Sequence, residues 1–207
     1  MSYENKKDGG SALPFLFFYI ISRKVNFMLA KVTKLFEDSN SVFLRNQVNL
    51  ILSGVSERCM CGALMTCIRY KLDETVFSEY HADIEYNRNF GGQIKTIIEG
   101  NIEIIKITCD LIVHSRGEKP KQDNLLAIEM KKIDRPEKEK IKDRKRLILL
   151  TKPTYDENSW SNDGITLPKH VCGYVLGVFY EVDKNERKAL LEYYVNGALH
   201  KQQTVTF

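Results

Sequence analysis

Asp110, Glu129 and Lys131 would bring two carboxylates and one ammonium to a single point on a strand pair. They lie in Ile107-Thr108-Cys109-Asp110-Leu111-Ile112-Val113 and Asn124-Leu125-Leu126-Ala127-Ile128-Glu129-Met130-Lys131-Lys132. Both runs are rich in the β-branched and apolar residues that favour strands. Side chains alternate across a strand, so Glu129 and Lys131 share a face with Ala127, while Leu126, Ile128 and Met130 take the other. Asp110 likewise shares its face with Thr108 and Lys106, opposite Ile105, Ile107, Cys109 and Leu111. Two neighbouring buried acids need a cation between them, which asks for a divalent metal with oxygen ligands, such as magnesium. Lys131 then supplies a second, movable positive charge. The bland alternative is an ordinary ion pair on a solvent-facing strand pair.

The elements that must position these groups can be read on either side of them. Leu44, Val48, Ile51, Leu52, Val55, Leu64, Met65 and Ile68 recur at helical spacing between Val42 and Tyr70, with Gly54 and Ser56 predicted to split the run in two. Thr75 to Asn87 alternates like a half-buried strand, and Asn89 to Gly92 reads as a turn. A second strand is expected over Ile102–Val113, a polar turn over Gly117–Asp123, and a third strand over Asn124–Lys132, together a meander. Asp134, Pro136 and Glu137 form a capping signature for a helix from about Arg135 to Leu150. Lys152 to Lys169 holds the single Trp160 and reads as a loop. Gly173–Val182 is a fourth strand, and Asn196-Gly197 splits Leu190–Phe207 into a hairpin.

The order helix, three strands, helix, strand, with Asp110 followed by Glu129-x-Lys131 at the end of the third strand, resembles the PD-(D/E)XK nuclease superfamily. The resemblance covers roughly residues 42–182. It implies an α/β fold with a restriction-endonuclease-like core, a mixed central sheet flanked by helices in the order α-β-β-β-α-β, extended here by the C-terminal hairpin. It implies that Asp110 and Glu129 hold Mg2+ or Mn2+ and that Lys131 orients or activates the attacking water. Glu57, on a stripe with Met60, Cys61, Leu64 and Ile68, matches the first-helix glutamate that several branches add to the catalytic set. Cys109 stands where the family's name has proline. The expected activity is metal-dependent phosphodiester hydrolysis in nucleic acid, with DNA the expected substrate, in a microbial or viral repair, restriction or defence setting. A catalytically silent nucleic-acid-binding module of the same fold, or a protein-interaction subunit, is the alternative.

Composition bounds the rest. The chain has 207 residues, with 31 Lys and Arg against 27 Asp and Glu, so the net charge of +4 matters only through its distribution. The segment from Lys119 to Lys152 is strongly basic, and Lys132, Arg135, Lys142 and Lys145 are candidates for nucleic-acid contacts; a solvated helix face, with Glu137 and Glu139 as local neutralisers, is the alternative. Glu85 could reach the acidic site but reads better as a solvated strand residue.

Five cysteines, an odd number, suit a reducing compartment and point to the cytoplasm. Cys59, Cys61 and Cys67 lack the second ligand pair that a zinc site needs. The apolar stretch from Ala12 to Ile21 is too short to span a bilayer, and no membrane partner is expected. It reads as an extra element covering the core or as a leader upstream of a start at Met28, so residues 1–41 form an N-terminal segment and residues 42–207 the nuclease-like domain. A homodimer is compatible with this organisation. Gly91-Gly92-Gln93-Ile94-Lys95-Thr96 lacks the full phosphate-loop spacing, and no Gly-x-Ser-x-Gly or His-Glu-x-x-His occurs.

Overall fold

The computed structural model describes residues 13–86, 96–99, 103–106, 108–153 and 172–207. A mixed six-stranded sheet runs through these residues with helices on both faces, an α/β arrangement. Its strands are β1 (His81–Ile84), β4 (Leu111–His114), β5 (Asn124–Lys132), β6 (Leu176–Asp183), β7 (Lys188–Val195) and β8 (Ala198–Thr206), in the spatial order β1-β4-β5-β6-β7-β8. Between β1 and β4 in sequence, β2 (Thr96–Glu99) and β3 (Glu103–Lys106) pair as a separate two-stranded sheet. The helices are α1 (Leu13–Asn46), α2 (Val48–Leu52), α3 (Glu57–Asp73) and α4 (Glu137–Thr151). All neighbours in the main sheet are antiparallel except β5 and β6, which are parallel because α4 carries the chain from one to the next.

The central strand β5 is buried on both faces, which divides the core in two. Leu126, Ile128 and Met130 join Val32, Phe36 and Phe43 of α1 and Met60, Leu64 and Ile68 of α3 in the larger cluster. Ala127 joins Ile112, Phe179 and Tyr194 against Leu147 and Leu150 of α4 in the smaller one. Tyr180 of β6 donates to Asn40 of α1 at 2.8 Å, satisfying a phenol that is fully buried. On the other face a Cβ at Gly177 would lie 3.0–3.4 Å from Thr151 and Leu147 side chains, so glycine allows α4 to pack closely.

Several boundaries differ from those the sequence predicts. The first helix begins at Leu13, not Val42, and Val32, Leu35 and Phe36 within it are core residues. The break at Gly54 and Ser56 is present: Gly54 adopts φ +78, and Ser56 caps α3 by accepting the Cys59 N–H at 3.2 Å. The strand expected from Thr75 is confined to His81–Ile84. Thr75 Oγ1 instead bonds the Leu72 carbonyl and the Phe77 N–H, holding the chain in turns up to Tyr80. The continuous strand expected over Ile102–Val113 is broken, and Asp110 sits at a bend immediately before β4. Cys109 packs with Ile112 on the α4 side while Leu111 faces the larger cluster, so the alternation predicted for Cys109 fails at that bend.

The Asp134 capping box does not form. Lys132 and Arg135 close a backbone turn, α4 starts at Glu137, and its N-cap is Pro136 with no side-chain bond. The C-terminal hairpin is as expected, with Asn196 at φ 52 and Gly197 at φ 78, a pair of positive values that suits a two-residue turn. None of the five cysteines is in a disulfide, and only Cys59 is exposed. Among the described residues no helix is long and apolar enough to cross a membrane. The predicted turn over Asn89–Gly92, the Gly91-Gly92 loop and the Trp160 loop over 154–171 lie outside the described residues.

Candidate functional site

Leu111 pairs with Ile128 across the antiparallel β4–β5 ladder, and continuing that register sets Asp110 opposite Glu129. Glu129 and Lys131 point from β5 toward α4, as their alternation with Ile128 and Met130 requires. From α4, Asp143 and Arg146 lie on the stripe that continues through Leu147 and Leu150, so they are carried into the same space. Lys131 Nζ is 3.6 Å from Asp110 Oδ2 and 2.9 Å from Asp143 Oδ2, an ion pair with each. Arg146 Nη1 donates to Glu129 Oε1 at 2.5 Å and lies 3.3 Å from Asp143 Oδ1. Asp110 is further tied to β5 by accepting the Met130 N–H at 2.8 Å.

Solvent reaches part of this cluster. The Asp110 and Arg146 side chains are 29% and 27% exposed, whereas Glu129 is fully buried. Burial pushes Glu129 up to about 8, and the charges of Asp110 and Asp143 add to that while Arg146 opposes it. Burial also raises Asp110, against the pull of Lys131 and the Met130 N–H. Lys131 lies above its ordinary value, since Asp110, Asp143 and Glu129 outweigh its own desolvation. Three carboxylates face two cations, so one negative charge remains uncompensated when all are ionised. The deficit is visible at Glu129 Oε2, a buried oxygen with no hydrogen-bond donor.

Among the described residues no three His, Cys, Asp or Glu side chains form a ready metal cage, and Lys131 and Arg146 are paired with the acids. The donor chemistry nevertheless fits a hard divalent cation: carboxylate oxygens only, one of them buried without a partner, and a net negative charge.

Glu57 has other partners. Its Oε1 accepts the Lys132 N–H at 3.0 Å, and Arg135 grips both oxygens at 2.8 and 3.1 Å. Burial raises Glu57, but the Arg135 and Lys132 hydrogen bonds more than offset it and leave the carboxyl below its usual range. The glutamate thus braces the end of β5 instead of joining Asp110 and Glu129. Glu85 pairs with Arg58 at 3.0 Å.

The basic segment is used mostly within the fold. Lys140 pairs with Glu181 at 2.5 Å, and Arg144 binds Glu192 at 2.9 and 3.1 Å while lying over the Phe179 ring. Lys132 Nζ donates to the Gly54 carbonyl at 2.9 Å. Of the four residues expected to contact nucleic acid, Lys132 and Arg135 are therefore engaged internally, and Lys142 and Lys145 are exposed on α4.

Sequence reasoning missed Asp143 as a site residue and read Arg146 only as part of the basic run from Lys119 to Lys152. The available signal was their three-residue spacing on the stripe leading to Leu147 and Leu150. No protein-family model, curated protein or solved structure matches this chain.

Proposed function

We propose that this chain is a metal-dependent nuclease with a restriction-endonuclease-like core, hydrolysing phosphodiester bonds in nucleic acid, with DNA the preferred substrate. The observation that carries the reading is the cluster in which Asp110 faces Glu129 across β4 and β5, with Lys131 3.6 Å from Asp110 and one Glu129 oxygen without a donor. The succession α3, β1, β4, β5, α4, β6 also agrees with the element order that the resemblance implies, although β2 and β3 are inserted within it. Five cysteines outside any disulfide agree with a reducing compartment.

Asp110 and Glu129 would hold Mg2+ or Mn2+. The chemistry such an ion supplies when bound is polarisation of a phosphoryl oxygen and acidification of a water. The chain's own groups account for the rest. The Met130 N–H fixes the Asp110 carboxylate, and burial fixes Glu129. Lys131, held between Asp110 and Asp143, keeps a full positive charge beside the position where phosphoryl charge develops. Lys142 and Lys145, which this reading places against the phosphate backbone, are exposed on the neighbouring helix.

The test is cleavage of single-stranded, double-stranded and branched DNA, and of RNA, by the purified chain with and without Mg2+. Glu129→Ala and Lys131→Ala should each reduce cutting by about a hundredfold or more. Unchanged cutting in both variants would remove the assignment. The grip of Arg146 on Glu129 favours a second reading, a binding module of the same fold that does not cut. That module would bind DNA without taking up Mg2+, which calorimetric titration resolves.

A further inference from the structure

Arg146 is the one member of the cluster that the catalytic reading leaves without work. Its guanidinium reaches from α4 to Glu129 Oε1 and lies within 3.3 Å of Asp143, yet its side chain remains 27% exposed. The other large cations of α4 that face the sheet are committed elsewhere, Lys140 to Glu181 and Arg144 to Glu192. Lys131 is held on the other side by Asp110 and Asp143. A guanidinium hydrogen-bonded to a carboxylate oxygen and a divalent ion at that same carboxylate compete for one negative charge and repel each other. A long, flexible stem lets Arg146 resolve the conflict by moving, a freedom that Glu129, fully buried on a central strand, does not have.

We propose that Arg146 is an internal counter-ion: it holds Glu129 while no divalent cation is bound, yields that carboxylate when Mg2+ or Mn2+ enters, and turns to the solvent side of the cluster. There its planar fork can take a substrate phosphate, so the group that stabilises the metal-free protein becomes a positioning residue of the loaded one. Asp143, bridged to both Lys131 and Arg146, keeps the two cations on α4's side throughout. This exchange rests on the reading of Asp110 and Glu129 as the metal-holding pair.

The experiment is calorimetric titration of Mn2+ into the full chain at one fixed pH, with thermal unfolding in EDTA alongside. Wild type is compared with Arg146→Met, Arg146→Lys and the control Arg144→Met. Removing the competing cation should tighten Mn2+ binding by about tenfold in Arg146→Met and lower its unfolding temperature in EDTA. Arg146→Lys keeps the charge on a differently shaped group and should fold even if the methionine variant does not; its gain should be smaller, about threefold. Arg144→Met should bind Mn2+ as wild type does. Equal or weaker Mn2+ binding in the Arg146 variants overturns the exchange while leaving the metal site standing. Absence of Mn2+ binding in wild type and every variant overturns both.

Discussion

Asp110 accepts the main-chain N–H of Met130 at 2.8 Å, so the acid that precedes β4 is tied to the strand that carries Glu129 and Lys131. The bend at Asp110 interrupts the ladder, and the carboxylate takes the role of the missing backbone acceptor for a donor that is completely buried. Asp110→Asn retains an acceptor oxygen and should fold with near wild-type stability while losing most Mg2+ affinity. Asp110→Ala leaves the Met130 N–H without a partner and should cost about 1–3 kcal/mol. Urea denaturation of the two variants separates the structural role of the oxygen from the role of its charge.

Glu129 predicts a specific dependence of stability on pH in the absence of metal. Its folded-state value is raised to about 8 from an ordinary 4.5, so the folded protein favours the neutral acid. That contribution is complete below the unfolded value, shrinks as pH rises between about 4.5 and about 8, and is gone above. Wild type should therefore lose roughly 3–5 kcal/mol relative to Glu129→Gln across that window. Chemical denaturation at a series of pH values in EDTA measures it, and parallel profiles for the two proteins would refute the buried, proton-binding glutamate.

Glu57 is predicted to act on stability. Its carboxylate accepts the Lys132 N–H where β5 ends and receives both arms of Arg135. Glu57→Ala should cost about 1–3 kcal/mol, because the Lys132 donor loses its acceptor at a partly buried position. Arg135→Ala should change stability little, since that guanidinium is largely in water. If Glu57→Ala instead kept full stability and abolished Mg2+ binding, the brace would be the wrong account and the first-helix glutamate of the resembled family the right one.

The contrast between Glu129 and Asp143 shows what the sequence could convey. Period-two alternation is a local property, so the faces of Glu129, Lys131 and Met130 were legible, as was the Asn196-Gly197 turn. The local stripe leading to Leu147 and Leu150 marks Asp143 and Arg146 as facing the core, but which acids they meet there is set by the crossover that lays α4 over β5 and β6. Part of the basic run is engaged in the same non-local way: Glu181 and Glu192, the partners of Lys140 and Arg144, lie on β6 and β7, far along the chain. Asp134 failed as a cap because a backbone turn from Lys132 to Arg135 takes up the approach to α4. Thr75 failed as a strand residue because its hydroxyl satisfied the neighbouring backbone first.

The hairpin offers a test of local conformation. Gly197 adopts φ +78, and a Cβ there would lie 2.9 Å from Lys152 Cγ. Gly197→Ala should destabilise the protein by about 1–2 kcal/mol, from left-handed strain plus the displacement of the Lys152 side chain. Thermal or urea unfolding reads the loss, and metal affinity should be unaffected, since β7 and β8 lie beyond β6 from the acidic cluster.

Anomalous diffraction from crystals of the full chain grown with Mn2+ tests most directly whether these acids share one ion. The account predicts a peak about 2.0–2.6 Å from carboxylate oxygens of both Asp110 and Glu129, with Lys131 beside it. A crystal saturated with Mn2+ that shows no peak between those two carboxylates would contradict it.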